Sequence, residues 1–211
     1  MKVRLLSHSS LYLVVLAART CHESLSRSDS NFDSIGLADK EFLKSLVKRG
    51  HHSVFEHLYF TFHIEGCSRL MLQELVRHRI ASYSVKSTRY TLNRAIDQIS
   101  SMQDVDKFIV VPEHFDDSQK NSLRYSVFNL IMEMKKMKEF GMCQDDLKYF
   151  LPECWKTELV MTINARSLFN FFRLRLDKAA HWEIRELARK MYEAIPEEYK
   201  FIFDAYFETV K

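Results

Sequence analysis

Glycine and proline are scarce, with 4 and 3 residues in a chain of 211. So few breakers and free turns argue against a turn-rich β architecture and in favour of helix. None of the glycine-rich loops that cradle phosphates with backbone N–H groups occurs, so an anion would have to be gripped by side chains. A Gly-x-Ser-x-Gly sequence is also missing, which removes the serine-elbow hydrolases. The four cysteines (Cys21, Cys67, Cys143, Cys154) are scattered. None has zinc-site or thioredoxin-like spacing, and they read as small, reduced apolar residues. The longest apolar run, Leu11 to Ala18, is far too short to cross a bilayer, and the chain starts without the charge and cleavage pattern of a secretory signal. A cytoplasmic protein with no membrane partner is expected.

What is present describes a folded protein: 46% hydrophobic and 28% charged residues in 25.1 kDa. That length predicts one domain over 1–211, small for an enzyme with several large ligands, so oligomerisation is an open route to a complete site. The net charge of +3 is too small to imply a nucleic-acid partner. Residues 2–6 read as a short strand and Leu11 to Cys21 as a buried helix. From Leu58 to Ile64, Leu58, Phe60, Phe62 and Ile64 alternate with polar neighbours, as a strand with one buried face requires. Gly66 is expected to end that strand, and Ser68 to cap a helix from Arg69 to about Arg77. A long helix is predicted from about Ser118 to Phe140, stopped at Gly141. Leu159 to Ile163 reads as a strand, Asn164 as the cap of a helix to about Leu176, and Ala179 to Ala194 as the final helical region, broken by Pro196. The fold class is therefore α+β (mixed α/β), a small central sheet packed with several long helices.

One segment has unusual chemistry: Arg77-His78-Arg79-Ile80-Ala81-Ser82-Tyr83-Ser84-Val85-Lys86-Ser87-Thr88-Arg89-Tyr90. Glu74, Arg77 and His78 would share a face at the predicted helix end, where cations complement the dipole. Beyond them, hydroxyls interleave with Lys86 and Arg89 in a loop equipped to grip a phosphate bidentately. Ser87 lacks the general base and orienting group that a nucleophile needs, and its arginine neighbours favour donation to an anion. On the helix after Asn164, Arg166, Asn170 and Arg173 share one face at about 100° per residue, while Arg175 falls opposite, between Leu168 and Phe171. A charge on an apolar face must be paired.

Arg77-His78-Arg79, seven residues, then Ser87 with Arg89-Tyr90 resembles the signature motif of the flavin-dependent thymidylate synthases. His51-His52-Ser53-Val54-Phe55-Glu56-His57 is similar to that family's His-x-(Ser/Thr)-x-Phe-Glu-His segment. Asn164-Ala165-Arg166-Ser167-Leu168 with Asn170 and Arg175 resembles its second block. The likeness covers His51 to Tyr90 and Leu151 to Glu183. There are departures: Lys148 stands where many members have arginine, Glu74 where an amide is frequent, and Val85 where a polar or acidic residue is frequent.

The resemblance implies conversion of dUMP to dTMP with methylenetetrahydrofolate as one-carbon donor and NADPH as reductant of a bound FAD, without an enzyme nucleophile, in a homotetramer whose sites are shared between chains. It assigns Ser53, Arg77, His78, Arg79, Val85, Asn164, Arg166 and Asn170 to the flavin. Glu74, Arg77, Lys86, Ser87, Thr88, Arg89, Lys148 and Arg175 go to dUMP, with Arg175 as the catalytic group. His51 becomes a neighbour of flavin or folate. Arg175 is expected to face the pyrimidine, on the side of the helix away from Arg166 and Asn170. Two other readings use the same residues: a nucleic-acid-binding module built on 77–90, and a metal hydrolase built on His51, His52 and His57, although their spacing fits no known His-Glu zinc motif and no metal is expected.

Overall fold

A computed structural model describes residues 1–210. In chain order these form β1 (Lys2–His8), α1 (Tyr12–Cys21), α2 (Leu37–Lys48), β2 (Tyr59–Ser68), α3 (Arg69–Leu75), β3 (Ala81–Val85), α4 (Thr88–Asp97), α5 (Asp117–Glu139), α6 (Gln144–Leu147), β4 (Lys156–Asn164), α7 (Ala165–Arg175), α8 (Trp182–Ala194) and α9 (Glu197–Thr209). The fold is α+β, as expected, with one four-stranded sheet of order β1-β2-β4-β3. No helix among the described residues is long and apolar enough to cross a membrane.

The chain gathers into two compact units, each discontinuous in sequence. The first comprises Met1–Glu65, Leu75–Ser84 and everything from Leu159 onward; the second comprises Gly66–Glu74 and Val85–Glu158.

In the first unit β1 runs antiparallel to β2, with Leu5 opposite Phe62 and Val3 opposite Ile64, and a bulge between Leu5 and Ser7. The alternation read in β2 holds, because Leu58, Phe60, Phe62 and Ile64 are all fully buried. Helices α2, α7, α8 and α9 close the unit around an aromatic core. Phe169 stacks on Tyr206 at 4.8 Å, and Phe172 and Phe60 both reach Phe203, at 5.4 and 5.9 Å. Each such ring buried contributes on the order of 2–3 kcal/mol. In the last turn of α1, Arg19 donates from Nε and Nη2 to one carboxylate oxygen of Asp39, at 2.9 and 2.7 Å, both residues being buried. Ser28 and the N–H of Asp29 satisfy the other oxygen.

The second unit is built on α5, whose Val127, Ile131 and Met134 meet Leu92 and Ile96 of α4, Leu147 of α6 and Trp155. Asp116 and Gln119 form a capping box at its start, and Gly141 follows its end at φ +86°, a left-handed angle that glycine adopts without strain.

Four local expectations fail for identifiable reasons. Gly66 does not end β2: at φ +72° it bends the strand, which continues to Ser68. Ser68 does cap α3, its Oγ accepting from Met71 N–H at 3.0 Å, but the helix stops at Leu75. Arg77 and His78 therefore lie outside it, and the helical facing expected with Glu74 does not apply. The stretch after Arg79 is not a loop: it holds β3 and then α4, with Ser87 as the N-cap that accepts from Arg89 N–H at 3.2 Å. Finally, Pro196 does not close the helical part of the chain. It starts α9, where a fixed φ is an advantage and the missing N–H costs nothing.

Candidate active site

β4 passes directly into α7 at Asn164, whose side chain accepts from Ser167 N–H at 2.8 Å and so caps the helix. This junction sets Asn164, Arg166, Asn170 and Arg175 along one wall of a cavity in the first unit, with a volume of about 890 Å³. The opposite wall is the turn Arg77-His78-Arg79-Ile80. Tyr83 of β3 holds that turn in place, its one hydroxyl proton lying between the carbonyl oxygens of His78 (2.7 Å) and Leu75 (3.0 Å). Burial pushes the Tyr83 phenol up to about 12, so it remains a donor at any working pH.

The two walls meet where Nε–H of Arg175 donates to Nε2 of His78 at 3.0 Å. An imidazole nitrogen that accepts carries no proton, so neutral His78 holds its proton on Nδ1. Burial, then the neighbouring Arg175 charge, lowers the His78 pKa from 6.5 to about 4. The ring is further fixed edge-on to Phe171 at 4.9 Å. Arg166 forms an ion pair with Glu56, which lies within the 3₁₀ turn Ser53–His57. Four arginines (Arg77, Arg79, Arg166, Arg175) thus surround the space against one carboxylate, Glu56, with Asn164 and Asn170 amides and apolar Ile80 and Leu174 completing it. That donor set suits a large anionic ligand with a flat apolar part.

Seven of the residues assigned from the sequence therefore share one cavity: Arg77, His78, Arg79, Asn164, Arg166, Asn170 and Arg175. The expected separation of Arg175 from Arg166 and Asn170 on opposite faces is not found. Arg175 is in the last residue of α7, where its side chain reaches His78 and the same cavity. Glu56 was missed as a participant, since its partner is 110 positions away. Ser53 is exposed and does not line the cavity.

In the second unit, Arg89 and Lys148 converge on Asp145. Arg89 Nε lies 3.4 Å from its carboxylate, Lys148 forms a short ion pair with it, and both cations hold the Asp145 pKa below the usual range, Lys148 most strongly. The Gln144 side chain donates to the carbonyl oxygens of Thr88 and Arg89, which ties α6 to the start of α4 beside Ser87. Lys86 and Thr88 instead line a different cavity. Glu74 lies on α3, and Val85 ends β3 with its side chain 38% exposed. Of the three histidines near Ser53, His52 is a packing residue, bonded to the Val47 carbonyl at 3.0 Å and edge-on to Phe169 and Tyr206. Among the described residues, His51, His52 and His57 do not gather as a ligand set.

The family model for thymidylate synthase complementing protein matches residues 4–199. The chain belongs to the flavin-dependent thymidylate synthase family. It is 42% identical to the flavin-dependent thymidylate synthase of Campylobacter jejuni over 211 residues, 97% of this chain and 96% of that one. To the enzyme of Wolinella succinogenes it is 39% identical over 208 residues, 96% and 97% of the two chains. A crystal structure of thymidylate synthase X from Helicobacter pylori with FAD and dUMP superposes at a TM-score of 0.85, with 35% identity, 98% of this chain and 99% of that chain covered. Within this flavin-dependent synthase family, the arginine cavity and Arg89 fall on the segments His51 to Tyr90 and Leu151 to Glu183 that resemble the family, and Lys148 lies just ahead of the second.

Proposed function

We propose that the chain, acting as one domain over 1–211, converts dUMP to dTMP with 5,10-methylenetetrahydrofolate as methylene donor and NADPH as reductant by way of bound FAD. The observation that carries this reading is the Arg175–His78 contact inside a cavity of four arginines. The Helicobacter pylori relative is described with FAD and dUMP, the two anionic ligands such a cavity suits. When bound, FAD supplies the redox chemistry, and the protein contributes binding, orientation and charge.

Arg77, Arg79, Arg166 and Asn170 hold the anionic and amide-bonding parts of the cofactor, with Asn164, His78, Ser53 and Val85 as further contacts. Arg175 faces the pyrimidine and stabilises negative charge as the ring is activated, while neutral His78 keeps its guanidinium in one orientation without adding a competing charge. Ser87, Arg89 and Lys148 hold the nucleotide phosphate, with Lys86, Thr88 and Glu74 as further contacts to dUMP. In a homotetramer with shared sites, these groups need not come from one chain. A cytoplasmic setting, where the thiols stay reduced, completes the picture.

No enzyme nucleophile enters this scheme. Ser87 Oγ is engaged as a helix cap, and the imidazole that lines the arginine cavity with Ser167, His78, already accepts on Nε2 from Arg175. The reading is tested on the purified full-length protein, which should be yellow and should oxidise NADPH only when dUMP and methylenetetrahydrofolate are both present. Colourless protein that cannot be reconstituted with FAD overturns it. Ser87→Ala should keep turnover at saturating dUMP with a raised KM; complete loss of turnover with dUMP still bound would restore a nucleophile.

A further inference from the structure

The first unit contains a cavity of about 320 Å³ that shares no residue with the arginine cavity around His78. Its volume lies in the range of small-ligand pockets, about 300–1,000 Å³. The turn 32–35 ahead of α2, Lys40 in the first turn of α2, and Glu198, Tyr199 and Phe201 at the start of α9 form its wall, with buried Leu11 beside them. The turn is pinned, so the wall is preformed. Asn31 Oδ1 accepts from the N–H groups of Asp33 (2.9 Å) and Ser34 (3.0 Å), and Ser10 Oγ donates to the Phe32 carbonyl oxygen at 3.3 Å. The Asp29 carboxylate, accepting from the N–H groups of Ala38 (2.8 Å) and Asp39 (3.0 Å), ties the same segment to the start of α2. Gly36 makes room for it, since a Cβ there would fall 2.1 Å from Asp29 Cγ. On the other side, Tyr199 is held edge-on to His8 at 4.7 Å and to Phe60 at 5.9 Å.

Three charged side chains face this space, and they do not neutralise one another. Asp33, Lys40 and Glu198 make no ion pair among the described residues. The Lys40 ammonium lies instead over the Phe201 ring, 5.0 Å from its centroid. A simple cation entering here would meet Lys40, and a simple anion would meet two carboxylates. Only a ligand that carries both charges finds an opposite charge for each of them. The rest of the wall takes an apolar body: Phe32 stands edge-on to Tyr12 yet is 63% exposed, and Phe201, Tyr199 and Leu11 add ring and aliphatic surface.

We propose that this cavity binds a zwitterionic α-amino acid with an aromatic side chain, its carboxylate on Lys40, its ammonium on Asp33 and Glu198, and its ring among Phe32, Tyr199 and Phe201. This goes beyond the thymidylate reading and does not depend on it. The test is calorimetric titration of the full-length protein, loaded with FAD and saturating dUMP, with L-phenylalanine. Wild type should bind one L-phenylalanine per chain. L-Phenylalaninamide, which keeps the ammonium and loses the carboxylate, and 3-phenylpropionate, which keeps the carboxylate and loses the ammonium, should each bind about fivefold more weakly or worse. L-Alanine, which brings both charges and no ring, should bind about tenfold more weakly or worse.

Two variants assign the charges. Lys40→Gln should weaken L-phenylalanine about fivefold and leave L-phenylalaninamide no weaker than in wild type, because the amide makes no use of the lysine. Asp33→Asn combined with Glu198→Gln should weaken L-phenylalanine and L-phenylalaninamide alike and spare 3-phenylpropionate. Asp33 and Glu198 are exposed, and an unchanged melting temperature verifies that each fold is intact. No heat with L-phenylalanine, equal affinity for it and either single-charge analogue, alanine binding as tightly, or variants that bind L-phenylalanine like wild type overturn the proposal. The wild-type ligand series decides it even where a variant fails to fold. A chain that fails to take FAD or dUMP would count against the proposed reaction and leave the amino-acid series standing, since the two cavities have no residue in common.

Discussion

Arg175 donates its Nε–H to Nε2 of His78 at 3.0 Å, so the cavity's one imidazole and one of its arginines form a single charged unit with one proton arrangement. Such a pair exists only while the imidazole is neutral. Since the His78 pKa is lowered to about 4, the pair persists down to that pH. A folded-state value below the unfolded 6.5 means that the unfolded chain binds the extra proton first. Stability from this group is therefore complete above about pH 6.5 and falls as pH drops towards 4. An NMR titration should show His78 with no midpoint near 6.5, and a midpoint there would remove the contact from solution.

Arg175→Ala should separate chemistry from cofactor binding. Removing one preorganised donor of this kind costs a factor of about 100 to 1000 in turnover. Flavin retention should change little, because Arg77, Arg79 and Arg166 remain. Arg166→Ala should show the reverse ranking, with flavin lost first. Single-turnover rates and bound-flavin absorbance of the two variants give the comparison, and the same ranking in both would reject the division of labour.

Lys148→Ala should act on affinity and leave the chemical step alone, since a phosphate contact is made equally in the ground and transition states. KM for dUMP should rise about tenfold with kcat nearly unchanged. Lys148→Arg should lower KM below wild type by supplying the bidentate fork that lysine lacks. Steady-state kinetics on the two variants are sufficient to decide it.

In the first unit, Arg19 and Asp39 form a buried ion pair at 2.7 Å. Burial raises the Asp39 pKa, but hydrogen bonds from Ser28, Ser30 and Arg19 more than offset it, and the net shift is downward. Its contribution is therefore present above the unfolded carboxylate value of 3.8 and is lost as pH falls through the lower folded value. Asp39→Ala leaves Arg19 buried without its counter-ion and should cost about 3–5 kcal/mol. Urea denaturation at pH 7 measures it, and a loss below about 1 kcal/mol would mean that Arg19 reaches water.

The parts of this molecule that the sequence makes readable are those governed by near neighbours. The β2 alternation depends on a period of two, and the caps Ser68 and Asn164 each act on an N–H three residues on. Helix α9 escapes the sequence reading, because the proline just ahead of it reads as an end of helix whereas it stands at the start of one. The cavity's chemistry could be read and its geometry could not. Nothing local indicates that Glu56 meets Arg166 or that the last side chain of α7 turns towards His78, because those contacts span 110 and 97 positions and exist only once the sheet has assembled.

The join at Asn164 has one further consequence. Because strand becomes helix there with no residue to spare, inserting a single amino acid would rotate α7 by about 100° and carry Arg166 and Asn170 away from the space they now face. Substitutions along this wall can be absorbed one contact at a time, whereas a change in length cannot. The wall has a reading frame, and deletions or insertions at the hinge are the frameshifts of its geometry.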